Sequence, residues 1–196
     1  MNPSSLLAIE TNSTAFAYKL LGEMSQNEWL EVVEISSAAN GKNFLLVQAE
    51  SFVQLKKLLS RIEEKYGRAS KKWHEISDPQ ILDVSLIENA DPEILPAMIS
   101  LVQNPVEEAL LVLECPSICG ILSALQSALS EFGLKICDLR LMRQSGGICQ
   151  AFLTGENAKC QAASPVFRQK FLAEYRPNQV ECIENLSPKL REFFKF

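Results

Sequence analysis

The segment Ile-Glu-Asn-Ala-Asp-Pro-Glu-Ile at residues 87–94 recurs 96 residues later as Ile-Glu-Asn-Leu-Ser-Pro-Lys-Leu at residues 183–190. An earlier block recurs as well: Leu-Leu-Ala-Ile-Glu at residues 6–10 matches Leu-Leu-Val-Leu-Glu at residues 110–114. Similar blocks in the same order are the sequence signature of a repeated structural unit. The chain therefore consists of two copies of one domain in tandem.

The boundary between the copies is predicted near Pro105, because a proline cannot continue the helix that precedes it. This gives two domains, residues 1–103 and residues 104–196. Residues 30–35 also match residues 134–139, so the repeat includes the interior of each domain as well as its two ends.

Each copy has the pattern strand, helix, strand, strand, helix, strand. The strands of the first copy are predicted at residues 5–10, 30–35, 44–49 and 82–88. Asn40-Gly41 is a strong hairpin turn signal, and Ser51 with Gln54 forms a capping box that opens the second helix. A final helix is predicted to begin at Asp91-Pro92, and at Ser187-Pro188 in the second copy. This order is the split β-α-β, ferredoxin-like plan, so the predicted fold class is α+β with two antiparallel or mixed sheets.

The composition excludes several classes of protein. The net charge of -5 argues against a general nucleic-acid binder, which needs a basic surface. No apolar run is long enough to span a bilayer, so no membrane is expected as a partner. Residues 1–5 lack the basic region and apolar core of a secretion signal.

The cysteines and the single histidine suggest no reactive centre. No two cysteines form a Cys-x-x-Cys pair, and reduced cytosolic thiols, partly in the core, are the favoured interpretation. The six are Cys115, Cys119, Cys137, Cys149, Cys160 and Cys182. His74 lies in a charged loop, away from any candidate triad or zinc site.

Two acidic residues and one basic run are functional candidates. Glu10 and Glu114 end equivalent strands, so duplication explains their pairing without acid–base chemistry. The run of Lys65, Arg68, Lys71 and Lys72, flanked by Tyr66 and Trp73, is interpreted as a solvated face, with an interaction patch as the alternative. Since no convincing active site emerges, the chain is expected not to be an enzyme.

The strand ending Ile9-Glu10, its counterpart Leu113-Glu114, the step Gly155-Glu156 and the bridge at residues 87–97 resemble the bacterial microcompartment shell family. The resemblance covers nearly the whole chain in the unpermuted strand order. It is strongest to the tandem-domain type found in propanediol utilisation.

This resemblance implies a homotrimer, a pseudo-hexameric disc that tiles with other shell subunits around enzymes in the bacterial cytoplasm. A central pore for small metabolites would be lined by the loops between the second and third strands of each copy. Those residues are Ser36, Ser37, Ala38, Ala39, Asn40 and Gly41, and Met142, Arg143, Gln144, Ser145, Gly146 and Gly147. Arg143 suggests a small anionic metabolite in the pore.

Two departures from the family pattern matter. Cluster-bearing relatives place a cysteine in the first pore loop, but residues 36–39 are Ser-Ser-Ala-Ala, so no iron–sulfur cluster, other metal or cofactor is expected. Gln26 and Ser130 occupy the positions of the edge lysine through which neighbouring discs pack. A free-standing trimeric ligand-binding or regulatory protein therefore remains an alternative. An enzyme on a ferredoxin-like scaffold is a second alternative.

Overall fold

A computed structural model describes the chain at residues 4–38, 41–67, 80–102, 104–142, 147–171, 173, 175 and 178–193. It divides into two compact units, Met1–Ala90 and Asp91–Phe196. Each unit contains one four-stranded antiparallel sheet with helices. The predicted mixture of helices and antiparallel strands in two copies is therefore confirmed.

The first unit runs strand, helix, strand, strand, helix, strand along the chain. Its elements are β1 (Ser5–Thr11), α1 (Thr14–Met24), β2 (Glu31–Ser37), β3 (Asn43–Ala49), α2 (Phe52–Tyr66) and β4 (Ile81–Ile87). The strands lie in the order β2-β3-β1-β4, so β1 is central and β2 is an edge. All of β1 is buried, as its continuous apolar run predicts.

The second unit repeats this arrangement after a short additional helix. Its elements are α3 (Ile94–Met98), β5 (Ala109–Cys115), α4 (Ile118–Ser130), β6 (Lys135–Arg140), β7 (Cys149–Gly155), α5 (Asn157–Val166), a π-helical turn (Phe167–Phe171), β8 (Gln179–Ile183) and α6 (Pro188–Phe193). The sheet order β6-β7-β5-β8 matches that of the first unit position for position.

The compact units divide at residues 90 and 91, whereas the predicted boundary at 103 and 104 counts α3 with the first copy. In the structure α3 packs against β6, and the Asp91 N–H donates to Gln126 Oε1 at 2.9 Å. The Glu93 N–H donates to Asp91 Oδ1, and the helix begins only at Ile94. The predicted helix start at residue 91 is therefore a capped turn that leads into α3.

The core of the first unit lies between the sheet and the two helices, which pack on one face of it. The second helix contributes Leu55, Leu58 and Ile62. The buried members of this core are Leu7, Ile9, Phe16, Leu20, Met24, Leu45, Val47, Ala49, Leu55, Leu58, Ile62 and Ile81.

The two units share irregularities as well as regular elements. A β-bulge interrupts the edge strand at Val33 in β2 and at Cys137 in β6, which are equivalent positions. The hydroxyl oxygens of Ser13 and Ser117 cap the first helix of each copy by accepting a backbone N–H three residues on.

The repeated Ile-Glu-Asn segment also has one conformation in both copies. Asn89 and Asn185 each have a φ of 49°, in the left-handed region that asparagine tolerates better than most residues. The next N–H then bonds back to the residue before the first strand: Ala90 to Ser4, and Leu186 to Glu108. The repeat read from the sequence is thus a repeat of backbone geometry.

Candidate functional site

The candidate site is the pair of loops that join β2 to β3 and β6 to β7. The first loop is shorter than predicted because Ser36 and Ser37 continue β2 and pair with Phe44 and Asn43. These two serines therefore belong to a strand end rather than to the turn. Serine hydroxyls are compatible with an edge strand, and neither side chain is buried.

A backbone hydrogen bond closes the first loop, with the Ala38 N–H donating to the Lys42 carbonyl at 2.8 Å. Gly41 has a φ of 73°, in the left-handed region that favours glycine, and its N-terminal neighbour Asn40 lies outside the described residues, as does Ala39. The predicted turn chemistry of Gly41 is therefore observed.

Asn43 holds the base of this loop from within the unit. It is only 3% exposed, and its Oδ1 accepts hydrogen bonds from Thr14 Oγ1 at 2.9 Å and from Ser37 Oγ at 3.3 Å. Its Nδ2 donates to the Gly41 carbonyl at 3.4 Å. One buried amide thus joins the first helix, the end of β2 and the turn. Asn43 could not be identified from the sequence, where its only signal is a polar residue at the start of an otherwise apolar strand.

Glu10 is likewise fixed beside this loop. Its side chain is 1% exposed, and its Oε2 lies 3.3 Å from Lys42 Nζ, which belongs to the closing residue of the loop. A buried carboxylate requires such a partner, because desolvation penalises an unpaired charge. Its equivalent in the second unit, Glu114, instead accepts a hydrogen bond from Gln150 Nε2 at 2.7 Å.

The second loop is also closed at its base, by the Gly147 N–H donating to the Met142 carbonyl at 3.0 Å. Met142 is 2% exposed, so its side chain is packed in the unit rather than presented on the loop surface. Gly147 is buried as well and has a φ of 97°. Arg143, Gln144, Ser145 and Gly146 lie outside the described residues.

The start of the predicted basic patch is part of a helix–helix contact. Lys65 Nζ lies 2.9 Å from Glu23 Oε1, and the Tyr66 hydroxyl donates to the same carboxylate. The Tyr66 ring also meets Phe16 edge-on, with centroids 5.0 Å apart. The Tyr66 hydroxyl, followed by Lys65, lowers the pKa of Glu23. Both residues therefore link α2 to α1.

The other members of that patch, Arg68, Lys71, Lys72 and Trp73, lie outside the described residues, as does His74.

The cysteines form no disulfide in the structure: five are buried and Cys182 is half-buried. Within the described ranges, no group of three His, Cys, Asp or Glu side chains is arranged to hold a metal ion. Among the same residues, no helix has both the length and the apolar character needed to cross a membrane.

Comparison with known proteins identifies the fold. No protein-family model and no curated protein sequence matches the chain. A solved microcompartment protein from Desulfitobacterium hafniense superposes with a TM-score of 0.70 at 18% identity, over 96% of this chain and 98% of that one. The chain has the fold of a microcompartment protein.

A second solved structure agrees. The double-ringed trimeric shell protein of the RMM microcompartment superposes with a TM-score of 0.60 at 13% identity, over 86% of this chain and 82% of that one. Chlorite dismutase from Candidatus Nitrospira defluvii reaches a TM-score of only 0.28, which is too low to indicate a shared fold. The likeness to microcompartment proteins covers both repeats.

Proposed function

We propose that this chain is a structural, non-catalytic shell subunit of a bacterial microcompartment in the cytoplasm. The observation that carries the proposal is the superposition on a microcompartment protein over nearly the full length of both chains. The duplication supports it independently, because the two units share sheet order, bulge and turn geometry.

In the proposed assembly, three copies form a pseudo-hexameric disc of six ferredoxin-like domains in the unpermuted strand order. A relative of the same fold is a trimeric shell protein, which supports this stoichiometry. The subunit would be of the tandem-domain type resembling that of propanediol utilisation, and its partners would be other shell subunits. The predicted pore loops, without the strand residues Ser36 and Ser37 and the buried Met142, would face the central pore at residues 38–41 and 143–147.

A non-catalytic role is consistent with the state of the candidate groups. Glu10 is paired with Lys42, and Glu114 accepts from Gln150, so each carboxylate has a local partner within its own unit. Burial raises the pKa of the Cys137 and Cys160 thiols to about 12, which suppresses the nucleophilic thiolate at neutral pH. These groups stabilise a scaffold rather than a reaction centre.

The first test is the mass of the assembly. Three chains of 21.9 kDa give a trimer of about 66 kDa, and light scattering coupled to size exclusion should find it at micromolar concentration. Obligate interfaces of this kind bury roughly 2,000 Å² or more, so the trimer should persist on dilution. A protein that stays monomeric at micromolar concentration would contradict the proposal.

A second candidate function keeps the trimer and omits the shell. Gln26 and Ser130 are both exposed at the positions where shell subunits have an edge lysine. The Ser130 hydroxyl donates to the Gln126 carbonyl at 2.7 Å within its own helix. Electron microscopy of concentrated protein, alone and with other shell subunits, separates the two functions. Sheets or closed bodies indicate a shell subunit, and discrete discs under all conditions indicate a free-standing trimer.

A further inference from the structure

The two edge strands β2 and β6 have the same backbone geometry, but the side chains at the bulge are exposed in β2 and buried in β6. Both carry the bulge, and both pair in the same register with the next strand. Yet Val32 and Val33 are each 39% exposed, whereas the equivalent Ile136 and Cys137 are 0% and 2% exposed. The first edge therefore presents adjacent apolar side chains to solvent where the second one has a cover.

The cover of β6 is the segment that follows β4 in the chain. The Ile136 N–H donates to Glu93 Oε2 at 3.5 Å, and Asn104 Nδ2 donates to the Ile136 carbonyl at 2.9 Å. Asn104 also donates to Glu93 Oε2 at 3.1 Å, so the two residues brace each other. Ile94 and Ala97 of α3 are buried in this contact. Residues 91–102 and 104 (the covering segment) thus pair with backbone groups of the edge strand and cover it.

Charge reinforces this cover. Lys135 opens β6, and its Nζ lies 2.7 Å from Glu107 Oε1. Glu107 raises the pKa of Lys135 first, and Glu93 adds to the effect. Glu93 Oε2 lies 3.5 Å from the backbone nitrogen of Ile136, the residue after Lys135, so the covering segment places an acidic side chain beside a basic strand end. Opposite charges at such a contact favour the correct partner, and like charges exclude the wrong one.

The segment that follows β8 repeats the covering segment with the charge reversed. Where residues 91–94 are Asp-Pro-Glu-Ile, residues 187–190 are Ser-Pro-Lys-Leu, so Lys189 stands in place of Glu93. Lys189 is exposed at the start of α6. The charge at the start of the open edge β2 is reversed too, because Glu31 stands where β6 has Lys135. Glu31 is exposed and accepts a hydrogen bond from Gln48.

We infer that residues 187–193 of one copy dock on the β2 edge of a second copy, with Lys189 facing Glu31. The occupant is a second copy because its segment is equivalent to the one that covers β6 and carries the charge that β2 requires. The docking buries Val32 as Ile136 is buried within the second unit. This inference rests on the proposed trimer and assigns its subunit contact.

The reversed pairs also dictate how the copies alternate. Glu93 would meet Glu31, or Lys189 would meet Lys135, if a segment docked on the wrong edge, and each such pairing repels. Every first-copy segment therefore covers a second-copy edge, and every second-copy segment covers the first-copy edge of another chain. Such a head-to-tail contact forms a closed ring when its rotation closes.

Charge exchange between the two positions tests this contact. Glu31→Lys and Lys189→Glu each replace an attraction by a repulsion and should weaken trimer formation roughly tenfold per interface in sedimentation or light scattering at low salt. The double variant Glu31→Lys/Lys189→Glu should restore the trimer. Glu31→Gln, which removes the charge and retains a group able to pair with Gln48, should give an intermediate effect.

Two controls define the result. Glu50→Lys makes the same charge change at another exposed site of the first unit and should leave the trimer unchanged. The defects of the single variants should shrink at 1 M salt, where the screening length is about 3 Å. Circular dichroism should show folded protein throughout, because both residues are exposed.

The outcomes separate the two proposals. A wild-type trimer that is indifferent to both single substitutions, or a double variant no better than the singles, overturns this contact and leaves the shell subunit standing. A wild-type protein that is monomeric overturns both. Rescue in the double variant alone supports the contact.

Discussion

Burial and charge make three cysteine thiols chemically unequal. Burial, followed by Glu107, raises the pKa of Cys137 to about 12, and burial, followed by Cys182, does the same for Cys160. The half-buried Cys182 also has a raised pKa, from burial and then Glu184. Because the folded pKa of the first two lies above the reference value of 9.0, they favour the folded state below about pH 9. That contribution is lost as the pH rises towards 12.

Thiol labelling at pH 8 checks this difference. A thiol of pKa 12 is ionised in about one molecule in ten thousand at that pH, so Cys137 and Cys160 should stay unmodified by a maleimide in native protein. Cys182 should react first, and all three should react in guanidinium chloride. Peptide mapping by mass spectrometry gives the order. Modification of Cys137 or Cys160 in native protein as fast as Cys182 would contradict the burial argument.

At the scale of single elements, the contribution of the helix caps to stability can be tested by single substitutions. Ser117 is 2% exposed and its Oγ accepts the Gly120 N–H at 2.9 Å, while Ser13 accepts the Phe16 N–H at 3.3 Å. Each satisfies a backbone donor that its helix cannot pair internally.

Replacing Ser117 or Ser13 with alanine should cost about 1 kcal/mol of unfolding free energy. The Ser117→Ala effect should be the larger, because its cap is shorter and buried and leaves the Gly120 N–H without water. Urea unfolding followed by circular dichroism measures the loss. Ser60→Ala, on the exposed face of α2, is the matched control and should change stability little. Equal midpoints for all three variants would show that the caps do not matter.

Most of these elements could be predicted from the sequence, because they follow from local patterns. The apolar run at residues 6–9, the helix-capping serine at residue 51 and the glycine at residue 41 each specify their own conformation. The bulge at Val33 could not be predicted, since no residue type marks it. The π-helical turn that follows Pro165 depends on how a helix accommodates a missing N–H, which the sequence shows only as a proline.

The sequence predicts where the candidate loops lie in the chain, but it does not predict the side-chain contacts that hold them. Repeat alignment and turn chemistry locate both loops between the second and third strands of each copy. The Asn43 network and the Glu10–Lys42 pair join residues about 30 positions apart, and only the folded sheet brings them together. Met142 is buried for the same reason: tertiary packing decides which loop residue turns inward.

At the scale of the whole molecule, the two loops would differ in charge around the axis of the proposed trimer. The first contributes methyl groups and an amide. The second contributes Arg143, which stays charged at any working pH. Three arginines near one axis attract anions, as basic rings do in anion-selective pores.

Crystals grown in sulfate or phosphate should show an anion on the threefold axis beside Arg143. The density should disappear in Arg143→Ala, whereas Arg140→Ala, in the preceding strand and paired with Asp138, should keep it. An Arg143 side chain more than about 10 Å from the axis, one Debye length at 0.1 M salt, would contradict an anion conduit.

The backbone hydrogen bonds at the base of each loop have a consequence for how such a protein changes. Ala38 bonds to Lys42, and Gly147 bonds to Met142, so a main-chain hydrogen bond closes each hairpin at its base. Because a main-chain bond does not depend on the identity of a side chain, substitutions in the loops, Gly41 apart, should leave strand register unaltered. Natural selection or protein engineering can therefore change which molecules the proposed pore admits while the fold stays constant.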